Sequence, residues 1–482
     1  MSDRPAEPEA IADPRRDGLE LLSDLDGLRT LLAQPGSGAP TELGLGGVLI
    51  GPGACSSLPE LARELMPAGG EIAVLVDRRP MLGHGGGELK LWVREALSGN
   101  GRVRTVEIGG DDADVHADPA TLATAVEKIG TADLLVTVGS GTLSDIGKYA
   151  SSRLHGLPHI VVQTAASVNG FADDQSVLVL EGVKRTTPTR WPDRLIIDTD
   201  VITRAPVAMN RAGLGDLLAS YTAPADWRLA AFMGQDDSFS PAIVALARDH
   251  VDPVLDHAAG VGSGDHRALE LLSAGLTLSG IAMGAAGRTA PGSGMEHTAS
   301  HLIEMADGHG ALHGAQVGIL SVFAACLWQV VRKAIRDGAL AALRFPDERE
   351  MQARVTEAFS AADPSGAMAA ECWSDYRRKL ERHNAGAAAL AGITERWPQL
   401  DAELARLLAP PRRLAAALVG CGAPTRLHEL GIAPERARWA LTNCHLMRDR
   451  FTVADLAFLL GLWDDAGVEQ VVTLAESFGC GL

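Results

Sequence analysis

Positive charge is the scarcer sign in this chain. Its 482 residues hold 43 Lys and Arg against 61 Asp and Glu, a formal net charge of −18. That balance argues against a nucleic-acid backbone or an anionic membrane as the main partner, and an anionic substrate would need a locally positive site. Cysteine is sparse too. Cys55, Cys326, Cys372, Cys421, Cys444 and Cys480 are scattered and form no CxxC pair, which suits reduced thiols in a cytoplasmic protein better than a disulfide framework. The opening MSDRPAEPEAIADPRRDG has no apolar segment of the secretory kind. No run of about 18 or more apolar residues stands out, so no membrane span is expected.

What remains is the composition of a globular protein, 46% hydrophobic and 22% charged, with length for two or three domains. Residues 1–46 read as an N-terminal tail and an extra amphipathic helix over 17–34, with the PGSGAP linker at 35–40. From 47 to 204, short apolar runs alternate with helical segments. GVLIGPG (47–53), EIAVLVD (71–77), RVRTVEIG (102–109), DLLVTVGSG (133–141), PHIVVQT (158–164) and DRLIIDT (193–199) are the strands. Such runs predict a mostly parallel sheet covered on both faces. Beyond 205 strand signals nearly vanish, and residues 205–482 read as helical throughout. The expected architecture is an α/β N-terminal nucleotide-binding domain (47–204) plus an all-α C-terminal domain (205–482), with a crevice between them.

Four stretches can carry chemistry. In VTVGSGTLSDIGK (136–148) a strand ends at Gly139, Gly141 allows close backbone approach, and a helix begins near Thr142. That is how a pyrophosphate is held at a helix N-terminus. Ser144 stands where the dinucleotide fingerprint has its third Gly, and a plain tight turn accounts for the stretch equally well. Asp77, closing the second strand, is placed to accept ribose hydroxyls, while Arg78 and Arg79 could meet a 2′-phosphate, so NAD and NADP both stay open. The second stretch is SGMEHTASHLIEMADGHGALHGAQVG (293–318), with four histidines. His297 and His301 share a helix face, and His313 follows a Gly-containing connection; a solvated helix face is the plain alternative. His309 is a loop residue. The third, NRAGLGDLLASYTAPADW (210–227), starts a helix at Asp216, which is either a cap or the anionic third ligand beside His297 and His313. The fourth, VVQTAASVNGFADDQSV (161–177), follows a strand with Thr164, Ser167, Asn169 and Asp173, either a cofactor and substrate rim or an ordinary polar loop. Arg448 and Arg450 in RDRFT read as a solvated helix end, with a phosphate grip as the alternative.

The motifs GSGTLSDIGK, TAASVNG, GLGDLLASYTAPADW, SGMEHTASH and LHGAQVG, taken in this order, resemble those of the glycerol-1-phosphate dehydrogenases. Their superfamily also holds glycerol dehydrogenase, iron-dependent alcohol dehydrogenases and dehydroquinate synthase. The stretch GAPTRLHELGI…RDRFTVADLA (422–457) resembles that family's C-terminal region, and the likeness spans roughly residues 47–460. It implies a dehydroquinate synthase-like fold with NAD or NADP bound by the α/β domain. Gly139, Gly141, Thr142, Asp145, Thr164, Ser167 and Asp173 would line the cofactor, with Asp77 at the ribose. It implies one divalent metal on Asp216, His297 and His313, zinc foremost and nickel or iron as alternatives. His301 and Asn169 would face the substrate, and His301 would orient it or relay a proton. The implied reaction interconverts dihydroxyacetone phosphate and sn-glycerol 1-phosphate in a cytoplasmic homo-oligomer. Asn169 replaces the family's usual Asp, and Ser220 replaces a frequent Lys. Those departures keep open a different polyol or a phosphorylated or phosphonate ketone. A dehydroquinate synthase-like lyase is the further alternative.

Overall fold

The computed structural model describes residues 18–34, 37–40, 42–109, 115–180, 183–308, 310–386 and 392–482. The tail expected over 1–16 and the bystander His309 lie outside them. Contacts group the chain into two compact units, Met1–Gly213 with Ser240–Thr289, and Leu214–Phe239 with Ala290–Leu482.

The first unit is built on a six-stranded sheet. In chain order its strands are β1 (Val48–Gly51), β2 (Glu71–Val76), β3 (Arg102–Glu107), β4 (Leu134–Gly139), β5 (His159–Gln163) and β8 (Arg194–Asp198). They lie in the order β1-β8-β5-β4-β2-β3, every pair parallel, with Val74 beside Val136 and Val136 beside Ile160. The unbroken apolar runs follow from double-sided burial. Ile72, Val74, Val76, Val136 and Val138 pack against the helices Leu58–Leu65 and Leu89–Leu97. Ala73, Leu75 and Leu135 face the helices Pro119–Ile129 and Gly141–Arg153. Each fully buried Val or Leu contributes about 1.5–3 kcal/mol of transfer free energy.

From β2 the chain steps outward to β3, then returns past β2 to β4 and continues the other way to β5 and β8. The order therefore reverses between β2 and β4, and open parallel sheets bind ligands beyond the strand ends at such a reversal.

An antiparallel hairpin, β6 (Gln175–Leu180) and β7 (Val183–Pro188), follows the rim segment. No strand was expected there, since 161–177 read as a rim or a polar loop after β5; in β6, buried Ser176 and Leu178 flank exposed Val177, the alternation of a half-buried strand. The expected N-terminal helix is two short ones, Gly18–Ser23 and Leu25–Leu32.

Strand content placed a division near residue 204, whereas packing assigns Ser240–Thr289 to the sheet-bearing unit. The reason lies on the helix His266–Ala286. A Cβ at Gly284 would stand 2.2 Å from the Trp191 ring, so the missing side chain lets this helix seat against the α/β framework. This helix and His313–Arg336 are long and apolar enough to cross a membrane by length and composition, yet both are almost wholly buried within the protein. The second unit is helical among the described residues, and His313–Arg336 is its central element.

Candidate functional site

The helical unit brings Asp216, His297 and His313 together. Asp216 lies in the helix Val207–Leu217, His297 in Met295–Asp307, and His313 opens His313–Arg336. Gly215 explains how they meet: a Cβ there would stand 2.2 Å from the Gly314 carbonyl oxygen. Only glycine lets the two backbones approach so closely, and the residues beside the contact are Asp216 and His313.

One ligand atom from each of the three residues lies within 4.8 Å of the others, and His297 Nε2 is 3.5 Å from Asp216 Oδ1. Two donors sharing a tetrahedral zinc at their usual bond lengths stand roughly 3.4 Å apart, so the spacing fits a metal. The other ring nitrogens face carboxylates. His297 Nδ1 is 3.0 Å from Glu296 Oε1, and His313 Nδ1 is 3.1 Å from Glu304 Oε1. This carboxylate–histidine arrangement fixes ring orientation and presents Nε2 to an ion. Glu296 is fully buried and held in turn by the Gly294 N–H and by the Thr222 hydroxyl at 2.8 Å.

The electrostatics agree with the donor set. Burial disfavours a charged His297, but hydrogen bonds and charge from Asp216 and Glu296 outweigh it and hold the ring up at about 9. Burial would raise Glu296, yet its bond to His297 brings it below the usual carboxylate range. His301 behaves oppositely: desolvation, then the charges of His313 and Arg448, push it well below the usual histidine value, so it stays neutral near pH 7. His301, Glu304 and His313 form a second group within 4.8 Å. Glu304 there already accepts from His313 Nδ1, which favours the Asp216 set as the ion's position.

Glu296 and Glu304 were missed from the sequence. The signal was available, because each is a carboxylate one to three positions from a histidine in MEHTASHLIE. Arg450 is half-buried rather than at a solvated helix end. Its Nη1 donates to Ser293 Oγ at 2.7 Å, clamping the loop that leads into the His297 helix. Asp226 ties the same region together, accepting from Met295 N at 2.9 Å and Val453 N at 3.0 Å. Burial and the nearby Glu296 charge raise it well above the ordinary carboxylate range. Arg448 is half-buried in a left-handed backbone conformation, φ 67°.

In the α/β unit, Asp77 and Gly139 follow or close β2 and β4, at the reversal of strand order. The helix Gly141–Arg153 begins just after Gly139, with Thr142 exposed and Asp145 half-buried in its first turns. Thr164 N donates to Gly139 O at 3.1 Å, which brings the rim segment beside that turn, and Ser167 is largely buried within it. Asn169 Nδ2 donates to Ser279 Oγ at 3.2 Å. Asp173, expected beside the cofactor, is 3% exposed and paired with Lys148 Nζ at 2.5 Å. Lys148, unforeseen from the sequence, also donates to Gly170 O at 2.7 Å and lies 3.3 Å from Asp145 Oδ1. The physical reason is burial: two opposite charges sealed from water must pair, so Asp173 anchors the rim to the helix. Burial raises Asp173 to about 7 against the pull of Lys148.

Comparison with known proteins places these features. The sequence profile of the iron-containing alcohol dehydrogenases matches residues 49–206. A glycerol-1-phosphate dehydrogenase (NAD(P)+) of Geobacillus thermodenitrificans is 36% identical over 214 residues, 43% of this chain and 52% of that protein. One from Bacillus velezensis is 29% identical over 350 residues, 72% of this chain and 74% of that protein. The chain thus spans about half the length of the first relative and about three quarters of the second. A probable glycerol dehydrogenase from Sinorhizobium meliloti shares the fold at TM-score 0.56 and 17% identity, covering 90% of this chain and 97% of that one. Residues 49–206 thus match the iron-containing alcohol dehydrogenase family, and the chain is similar to glycerol-1-phosphate dehydrogenases (NAD(P)+) in sequence and to a probable glycerol dehydrogenase in fold.

Proposed function

We propose that this chain interconverts dihydroxyacetone phosphate and sn-glycerol 1-phosphate. One observation carries the reading beside the relatives' activity. Asp216, His297 and His313 converge, with a ligand atom of each within 4.8 Å of the others, and Nδ1 of both imidazoles faces a buried carboxylate. When bound, a divalent ion there supplies Lewis acidity toward a carbonyl oxygen, and a nicotinamide bound on the α/β unit supplies hydride. The chain's own residues do the rest. Asp216 contributes negative charge and His297 and His313 neutral nitrogen, leaving room for a substrate oxygen. Neutral His301 orients the substrate or relays a proton to the nascent alkoxide, taking one from water at one ring nitrogen as it gives up the one on the other. Gly139, Gly141 and Thr142 offer backbone to a pyrophosphate at the helix start. Zinc is the ion this mixed nitrogen–oxygen set is proposed to hold, and a cytoplasmic homo-oligomer is proposed as the working form, which light scattering reads.

The test is NAD(P)H oxidation by dihydroxyacetone phosphate on metal-stripped protein reloaded with zinc, nickel or iron. Turnover yielding the sn-1 product supports the reading; no turnover with any ion sinks it. A second reading, a different polyol or a phosphonate ketone, is favoured by Asn169 and by Ser220, which is 1% exposed with a hydroxyl that has no hydrogen-bond partner among the described residues. A substrate panel separates the two. A lyase that reoxidises its own cofactor would show no net change in NAD(P)H.

A further inference from the structure

We propose that Lys90 sets the balance between NAD and NADP by offsetting the charge of Asp77. The proposal rests on the oxidoreductase reading above. An acidic residue beyond the second strand accepts the ribose hydroxyls of NAD and repels the 2′-phosphate of NADP. Here the carboxylate has a cationic neighbour. Lys90, second residue of the helix Leu89–Leu97, places Nζ 3.5 Å from Asp77 Oδ1 and 2.6 Å from the Asp77 carbonyl oxygen. It also donates to the Arg79 carbonyl. Both side chains are about 15% exposed, at 15% and 14%, so solvent screens the pair weakly. Arg79 N donates to the same Oδ1 at 3.0 Å, leaving Oδ2 to accept a ribose hydroxyl.

The surrounding turn fixes this arrangement. Leu89 N donates to Met81 O at 2.8 Å, Gly83 N to Gly87 O at 2.8 Å, and Glu88 caps the helix through Leu91 N at 2.7 Å. Arg78 is drawn to Glu107 on β3, 2.7 Å away, with both groups about half exposed. Lys90 thus holds an ammonium beside the Asp77 carboxylate. A carboxylate and an ammonium together present nearly zero charge. The site then tolerates either a ribose hydroxyl or a phosphate, and without the ammonium an incoming phosphate meets an uncompensated carboxylate.

The experiment titrates NADH and NADPH onto the full-length chain by fluorescence and measures kcat/KM with each. Lys90→Met should weaken NADPH binding by about tenfold or more while NADH changes by less than about threefold, a tenfold shift being roughly 1.4 kcal/mol. Lys90→Arg should keep the wild-type ratio, and adding Asp77→Asn to Lys90→Met should bring NADPH binding back. Equal losses for both cofactors in Lys90→Met, or an unchanged ratio, would show that Lys90 only braces the turn and would overturn the proposal. If the wild-type chain binds neither nucleotide, the oxidoreductase reading itself fails and takes this proposal with it.

Discussion

Replacing Glu304 with Gln tests whether the site is tuned from outside its three ligands. Glu304 is 3% exposed and its Oε1 sits 3.1 Å from His313 Nδ1. Gln keeps a carbonyl oxygen of nearly the same shape, so the hydrogen bond survives while the negative charge is lost. Carboxylates in this position are worth about 10–100-fold in metal affinity, or roughly 1.4–2.7 kcal/mol. Glu304→Ala removes the acceptor as well and leaves His313 Nδ1 only the more distant Ser300 Oγ, 3.4 Å away, so the ring is held less firmly. Zinc affinity is read by competition with a chromophoric chelator, with circular dichroism confirming that both variants fold. The expected order is wild type, then Gln, then Ala. Wild-type affinity in both variants would refute the claim that Glu304 orients the imidazole. A loss beyond about a thousandfold in Glu304→Gln, well past the outer-shell range, would mean that Glu304 ligates the ion directly.

Three further outcomes follow from the geometry. Lys148→Met strips the buried Asp173 of its cation and should cost about 3–5 kcal/mol in urea unfolding, and Lys148→Met with Asp173→Asn should recover most of it. His159 is fully buried, and desolvation, with the charges of Arg190 and Lys148, lowers it from 6.5 to about 3. Above pH 6.5 it is neutral folded or unfolded and contributes nothing. Between 6.5 and 3 only the unfolded chain takes the proton, so stability falls with pH by up to about 1.4 kcal/mol per unit; His159→Asn should flatten that slope in urea titrations at several pH values. Gly215→Ala sets a methyl against the Gly314 carbonyl and should cost about 1–3 kcal/mol while lowering zinc affinity; a variant with unchanged Tm and affinity would show that the helices need no such approach.

Much of this was legible before any coordinates. Continuous apolar runs announced a doubly covered parallel sheet, because each strand must bury both faces. The ligand set was what the resemblance of GLGDLL, SGMEHTASH and LHGAQVG to the family's motifs implied; the residues alone left a helix cap and a solvated helix face open. What escaped depended on partners distant in sequence. Lys148 looked like an ordinary helix residue, since nothing local says that Asp173, twenty-five positions on, will be sealed beside it. Ser240–Thr289 reads as more of the helical half until Gly284 is seen against Trp191. Glu296 and Glu304 stand near histidines in the sequence, but which imidazole each one faces comes from the structure.

The most direct test measures bound metal and dihydroxyacetone phosphate-dependent NAD(P)H oxidation in the wild type and in His297→Ala, with circular dichroism to verify the fold. We predict one tightly bound divalent ion per wild-type chain and turnover that depends on it. His297→Ala should lose both while keeping its helical signal. A folded His297→Ala that retains its metal and its turnover would contradict the account.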